Sequence, residues 1–142
     1  MRTAGKPHVI EQKRNRIGYS VAVLGVILIG LASRQFPWLF PPVLGKYPGD
    51  ALWAMMVFLG LAVLRPTWRT THLAMSALVI AFAVEYSQIL DWPWLVALRS
   101  HRLGHLVLGS TFNPGDLLAY TVGVACGAFT DWMRIRGWMR LQ

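Results

Sequence analysis

The chain has 142 residues, the size of a single domain, with 55% hydrophobic residues, 14% charged residues and a formal net charge of +8. An average soluble domain is about one-quarter charged, so this composition cannot cover itself with a solvated surface and argues for membrane integration. The single cysteine, Cys126, excludes an internal disulfide.

Residues 1–16 form a basic segment carrying Arg2, Lys6, Lys13, Arg14 and Arg16 against one acid, Glu11. The first apolar run follows from Ile17 to Ser33. A basic start before an apolar run is also the layout of a signal peptide, with Gly30-Leu31-Ala32 as its cleavage site. The run is longer than a usual signal core, and cleavage would remove half of the first hairpin, so it reads as a retained helix. Pro37-Trp38-Leu39 closes it. After a short loop, Pro48-Gly49-Asp50 opens a second apolar run, Asp50 to Leu64.

A turn with Arg65 and Arg69 leads into the third run, from about Leu73 to Leu90. Pro93-Trp94-Leu95 then repeats the earlier Pro-Trp-Leu, and Pro114-Gly115-Asp116 repeats Pro-Gly-Asp ahead of the fourth run, Asp116 to Thr130. The chain thus reads as one hairpin unit used twice. A span needs about 20 residues, with about 17 as a lower limit. The second and fourth runs are short; bilayer thinning and snorkelling flanks can accommodate them, and a re-entrant segment is the competing reading. The stretch between Pro93 and Gly109 is an insertion in the second copy and predicts a short interfacial helix ended at Gly104.

With a cytoplasmic amino terminus and four crossings, the inner side holds ten bases (Arg2, Lys6, Lys13, Arg14, Arg16, Arg65, Arg69, Arg134, Arg136 and Arg140) against Glu11 and Asp131. The outer side balances Arg34, Lys46, Arg99 and Arg102 against Asp50, Glu85, Asp91 and Asp116. This is the asymmetry the positive-inside rule requires. The expected fold is therefore an all-α integral membrane protein: four transmembrane helices as two tandem hairpins, both termini cytoplasmic, and a short interfacial helix between helices three and four. Residues 17–131 are the membrane domain and 132–142 a basic cytoplasmic tail. The bases flank spans and form no aromatic-basic stacking face, so no nucleic acid is expected and anionic lipid head groups are.

This topology gathers the unusual polar residues on the outer face. Asp50 and Asp116 sit where an aspartate caps the free N–H groups of a helix start. Glu85 lies on the order of 8 Å below the end of the third helix, and an ionisable residue at membrane depth is a functional candidate by default. Gln88 shares its face; Arg34, Arg99 and Arg102 are its available partners. His101 and His105 have the spacing of a metal pair, but no third ligand is fixed, so neither metal nor cofactor is expected. Gly123 and Gly127 permit close helix approach, within the chain or in an oligomer.

The order Glu85-x-x-Gln88, Arg99, Asp116-Leu117-Leu118 and Gly123-x-x-x-Gly127 resembles the signature of VanZ-like membrane proteins. With Gly49-Asp50-Ala51-Leu52-Trp53 ahead of it, the chain is most similar to a related bacterial family called domain of unknown function 2809. Tyr120 stands where the VanZ pattern has an asparagine, and the stretch after Asp50 lacks that pattern's histidine. The resemblance implies a small multi-pass protein of the bacterial inner membrane, with Glu85, Gln88, Arg99 and Asp116 as matched positions. The functional expectation is a non-enzymatic, envelope-associated binding or accessory protein. Its outer-leaflet site comprises Glu85, Gln88, Arg99, Asp116, Asp50 and Arg34 and takes a lipid head group or envelope precursor. The alternatives are a proton-coupled small-molecule or lipid carrier using Glu85 and a membrane hydrolase using His101 or His105.

Overall fold

The computed structural model describes residues 14–109 and 111–139. Arg2, Lys6, Glu11, Lys13 and Arg140 lie outside the described residues. Within them the chain is all-helical: α1 (Arg16–Gln35), α2 (Tyr47–Leu64), α3 (Thr70–Ser87), α4 (Pro93–Ser100), α5 (Arg102–Leu108) and α6 (Pro114–Met139), with 3-10 turns at Pro37–Leu39 and Pro42–Leu44. α1 and α2 are each long and apolar enough to cross a membrane. α3 and α6 dilute their apolar runs with polar groups: α3 opens on Thr70-Thr71-His72 and carries Glu85, while α6 carries Asp116, Asp131 and a basic last stretch.

Local chemistry explains where the helices begin. Asn15 accepts from the N–H groups of Ile17 and Gly18 at the start of α1, the usual work of an N-cap side chain. Proline occupies the first turn of α2 and α4, where its missing N–H costs nothing. α6 likewise begins at Pro114, behind Asn113, whose Oδ1 accepts from Gly115 N at 3.1 Å.

These starts correct the expected role of the two aspartates. α2 begins at Tyr47, so Asp50 lies inside its first turn with no capping bond from a side chain at its start. At α6 the cap is Asn113, and Asp116 accepts from Asn113 Nδ2 at 3.0 Å. Both helices are also longer than their apolar runs. At 1.5 Å per residue, the 18 residues of α2 span about 27 Å and the 26 of α6 about 39 Å. α6 thus continues to Met139, into the segment expected as a separate basic tail.

α2 and α6 pack on each other at the centre, α1 flanks α2, and α3 leans on both α2 and α6. This is the arrangement of two hairpins, α1–α2 and α3–α6, joined along α2 and α6. Small residues bring the helices together. A Cβ on Gly123 would lie 1.9 Å from the Ala51 carbonyl oxygen, and one on Gly127 2.8 Å from the Phe58 ring. The Gly-x-x-x-Gly pair therefore packs α6 against α2 within the chain.

Side-chain size is distributed in an unusual way. Ala54, Ala62, Ala77 and Ala81 are fully buried beside Phe58, Leu73 and Val124. Large apolar residues face outward: Ile17, Val21, Leu24, Leu28 and Leu31 form a stripe along α1, and Val79, Leu118 and Phe129 continue the apolar exterior on α3 and α6. Exposed apolar surface of this extent is uncommon on a water-soluble monomer.

The inserted stretch forms two helices rather than one. α4 ends at Ser100, His101 is extended, and α5 follows. Gly104 does not terminate a helix. It sits inside α5 where a Cβ would fall 1.8 Å from the Leu98 carbonyl oxygen, so it lets α5 fold back against α4.

Candidate functional site

α2 and α6 begin at the same end of the bundle at which α1 and α3 finish, which brings the doubled Pro-Gly-Asp motif into one cluster. Lys46 Nζ donates to Asp116 Oδ2 at 2.5 Å and lies 3.9 Å from Asp50 Oδ2. One ammonium therefore serves both aspartates. Partial burial of Lys46 disfavours its charge. The hydrogen bond to Asp116 and the nearby charges of Asp116, Asp50 and Glu85 outweigh that and hold its pKa above the ordinary lysine value. Arg34 Nη2, at the end of α1, lies 3.6 Å from Asp50 Oδ1, too far for a hydrogen bond.

Glu85 is fully buried in the last turn of α3. Its Oε1 accepts from Asn113 N at 2.7 Å; its Oε2 accepts from Gln88 Nε2 and from the Tyr120 hydroxyl, both at 2.9 Å. Of the available partners Arg34, Arg99 and Arg102 none pairs with it: among the described residues Glu85 has no cation within ion-pair distance. Its neighbours are neutral donors from three places in the chain, which join the ends of α3, the α5–α6 connection and α6. Gln88 is held from its other side by Gly109, whose φ of +66° favours glycine and whose added Cβ would sit 2.7 Å from Gln88 Nε2.

Arg99 is elsewhere. Its guanidinium donates to the Leu90 and Ser87 carbonyl oxygens and to Ser87 Oγ. These acceptors lie at the carboxyl end of α3, where a cation is favoured; the Ser87 carbonyl is shared with Leu90 N. The residue is buried and ties α4 to α3.

Above these contacts opens a cavity of about 320 Å³. Four of the six expected site residues line it: Arg34, Asp50, Gln88 and Asp116. Glu85 and Arg99 do not; Glu85 acts from behind the wall by fixing Gln88 and Tyr120. Lys46, Trp53, Tyr120 and His105 complete the charged and aromatic lining. Two of its groups are unsatisfied: Asp50 Oδ2 and Trp53 Nε1 are buried and have no hydrogen-bond partner among the described residues. A buried polar atom left alone costs about 1–3 kcal/mol, and here two of them lie beside one cavity.

Sequence reasoning passed over Lys46 as a loop cation, and it set Tyr120 aside as a departure from a pattern. Asn113 could have been read directly, since asparagine before a proline-started helix is a cap signal. His101 and His105 do not share a helix face, because His101 precedes α5. No group of three metal-ligating side chains exists among the described residues. The hydroxyls of Ser33, Ser87 and Ser100 donate to carbonyls of their own helices rather than to a histidine. Ser110 lies outside the described residues.

A second polar cluster closes the opposite end. Arg14 Nε and Nη2 donate to Asp131 Oδ1 and Oδ2 at 2.6 and 2.7 Å, the bidentate geometry that guanidinium and carboxylate favour. Tyr19 and Thr70 donate to the same carboxylate at 2.5 and 2.6 Å. Arg14 Nη1 donates to the Pro66 and Trp68 carbonyls. Both partners are buried. Burial opposes the Arg14 charge, but the Asp131 hydrogen bonds and charge hold its pKa above the ordinary value. Two residues counted as separate topology charges are thus a clamp across α1, the α2–α3 turn, α3 and α6.

A family described as "Protein of unknown function (DUF2809)" matches residues 39–124. The match covers more than half of the chain and includes α2, α3, the α4–α5 insertion and the first part of α6; the chain belongs to this family. No solved structure matches it.

Proposed function

We infer that the chain is a small four-span protein of the bacterial inner membrane, related to VanZ-like proteins, with both termini cytoplasmic. On this reading it is a non-enzymatic binding or accessory protein that holds a lipid head group or cell-envelope precursor in the Lys46 pocket. The inverted distribution of side-chain size supports membrane residence. In lipid, water does not drive large apolar groups inward, and helices associate through small residues. The charge asymmetry of the sequence supports the orientation, which puts the pocket in the outer leaflet. Reporter fusions after Leu108 and after Met139 should report opposite sides of the membrane.

One observation carries the functional reading: a 320 Å³ pocket at the bundle end, lined by Arg34, Lys46, Asp50 and Asp116, with Asp50 Oδ2 and Trp53 Nε1 lacking a hydrogen bond among the described residues. A scaffold that used these charges only for packing would pair them and close over them. The test is the amphiphile content of full-length protein purified in mild detergent, read by native mass spectrometry. The Arg34→Ala/Lys46→Ala double variant should lose an adduct that the wild type retains. The same adducts in equal amount on both proteins would end this reading.

Glu85 favours a second reading, a proton-coupled carrier, because the hydrogen-bond donors to its buried carboxyl group among the described residues are all neutral. Glu85→Gln should then abolish a pH-driven flux in proteoliposomes; unchanged flux counts against it.

A further inference from the structure

The polar pocket does not end at its own walls. Arg34, Trp53 and Leu106 also line an apolar groove between α1 and α2, whose other walls are Val26, Ile27, Gly30, Leu31, Leu52 and Met56. From Arg34 to Val26 it descends about 12 Å along α1. It is shallow, about 60 Å³, and open on its outer side. A chain lying in it would touch protein on one face and bilayer on the other.

The unsatisfied groups at the head of this groove specify a chemistry. Each Asp116 oxygen already has a donor, Lys46 or Asn113. Asp50 Oδ2 needs an N–H or O–H donor, Trp53 Nε1–H needs an acceptor, and the half-exposed Arg34 guanidinium keeps N–H groups to give. A phosphate meets Arg34 and Trp53 but leaves Asp50 facing an anion. A quaternary ammonium brings a positive charge but no N–H for Asp50 Oδ2. A primary ammonium joined to a phosphate supplies both, and it adds no net charge to a lining whose two cations and two carboxylates already balance.

We propose that the pocket and groove form one site for a zwitterionic aminophospholipid, with the ammonium on Asp50, the phosphate on Arg34 and Trp53, and one acyl chain along α1 and α2 past Gly30. This rests on the ligand-binding reading above and names its ligand class. Gly30 lines the groove: a Cβ there would only touch Leu52 at 3.8 Å, so a small side chain fits the fold while a larger one fills the path of the acyl chain.

The experiment is native mass spectrometry of the detergent-solubilised full chain titrated with dioleoyl phosphatidylethanolamine, phosphatidylcholine or phosphatidylglycerol, and with chain-free glycerophosphoethanolamine. One charge-assisted hydrogen bond more or less changes affinity about tenfold. Phosphatidylethanolamine should therefore bind about tenfold tighter than either other lipid. Asp50→Asn should erase that preference, and Trp53→Phe, which removes only the Nε1 donor, should weaken all three lipids alike. Gly30→Leu should weaken the lipids and leave the weak binding of glycerophosphoethanolamine unchanged. Equal affinity for the three lipids overturns the ammonium assignment even if Asp50→Asn fails to fold. If binding also still falls in the Arg34→Ala/Lys46→Ala variant, the broader reading survives that result. Unchanged lipid binding by a folded Gly30→Leu variant overturns the acyl path. No adduct from any lipid removes both readings.

Discussion

The clamp at the Asp131 end allows the charge pattern of the sequence to be separated from the packing of the structure. Arg14→Met removes the guanidinium while keeping an unbranched side chain in its place. Asp131, about 1% exposed, would keep only the Tyr19 and Thr70 hydroxyls, and the Pro66 and Trp68 carbonyls would lose their donor. Removing one partner of a buried ion pair costs about 3–5 kcal/mol, because the other charge is left uncompensated. The two remaining hydroxyl donors place the expectation at the low end, about 3 kcal/mol. For a chain of this length that lowers the melting temperature by about 10 °C, measurable by thermal unfolding in detergent. Arg16→Met is the control: it removes the same charge two residues away from an exposed side chain and should cost less than about 0.5 kcal/mol. The Arg14→Met/Asp131→Leu double variant should recover part of the loss, since it removes the uncompensated carboxylate while Tyr19 and Thr70 lose their acceptor. Equal destabilisation by Arg14→Met and Arg16→Met, or no recovery in the double variant, would refute the clamp and return Arg14 to a role in topology alone.

Two further outcomes follow from the geometry. Gly123→Val forces the α2 and α6 backbones apart, because even a Cβ would stand 1.9 Å from the Ala51 carbonyl oxygen. It should destabilise by more than the 1–3 kcal/mol usual for overpacking, whereas Gly25→Val, at a position with open space around it, should unfold within a degree or two of the wild type. The Lys46 contribution has a defined sign in pH. A raised lysine pKa means stabilisation that is fully present below the ordinary value of 10.5 and lost as pH rises through the higher folded value. The melting-temperature difference between wild type and Lys46→Met should therefore stay constant from neutral pH to about 10 and shrink above it; a difference that shrinks below pH 9 would contradict the pairing with Asp116.

The four long helices were legible because each is announced by an apolar run between prolines and charges. Their ends were less so. α6 was expected to stop near Thr130 because Asp131 reads as a solvated charge, and its true partner, Arg14, lies 117 residues away. No local pattern reports such a pairing. The convergence of Asp50, Asp116 and Glu85 at one bundle end was legible from topology, since antiparallel helices alternate which end is presented. Which cation meets which carboxylate was not. Sequence supplies Arg34, Arg99 and Arg102 as candidates and passes over Lys46, but reach and direction decide, and they send Arg99 to the Ser87 and Leu90 carbonyls at the end of α3 while Lys46 takes both aspartates. The split of the insertion at His101 and the fold-back at Gly104 depend on a contact with Leu98 that exists only once α5 has turned onto α4.

α6 has a mechanical consequence that goes beyond either cluster. Asp116 and Asp131 lie fifteen residues apart on it, about 22 Å along the axis, and each is anchored to a different part of the chain, Lys46 ahead of α2 and Arg14 ahead of α1. A rod pinned near both ends can neither slide nor roll without breaking an ionic contact. α6 is therefore the fixed beam of the molecule, and α2, seated on its glycines, is fixed with it. Any widening of the pocket must come from the pieces that are held less firmly: α5, which carries Leu106, since Arg99 ties α4 to α3, and the carboxyl end of α1, where Arg34 lies 3.6 Å from Asp50 and makes no hydrogen bond to it.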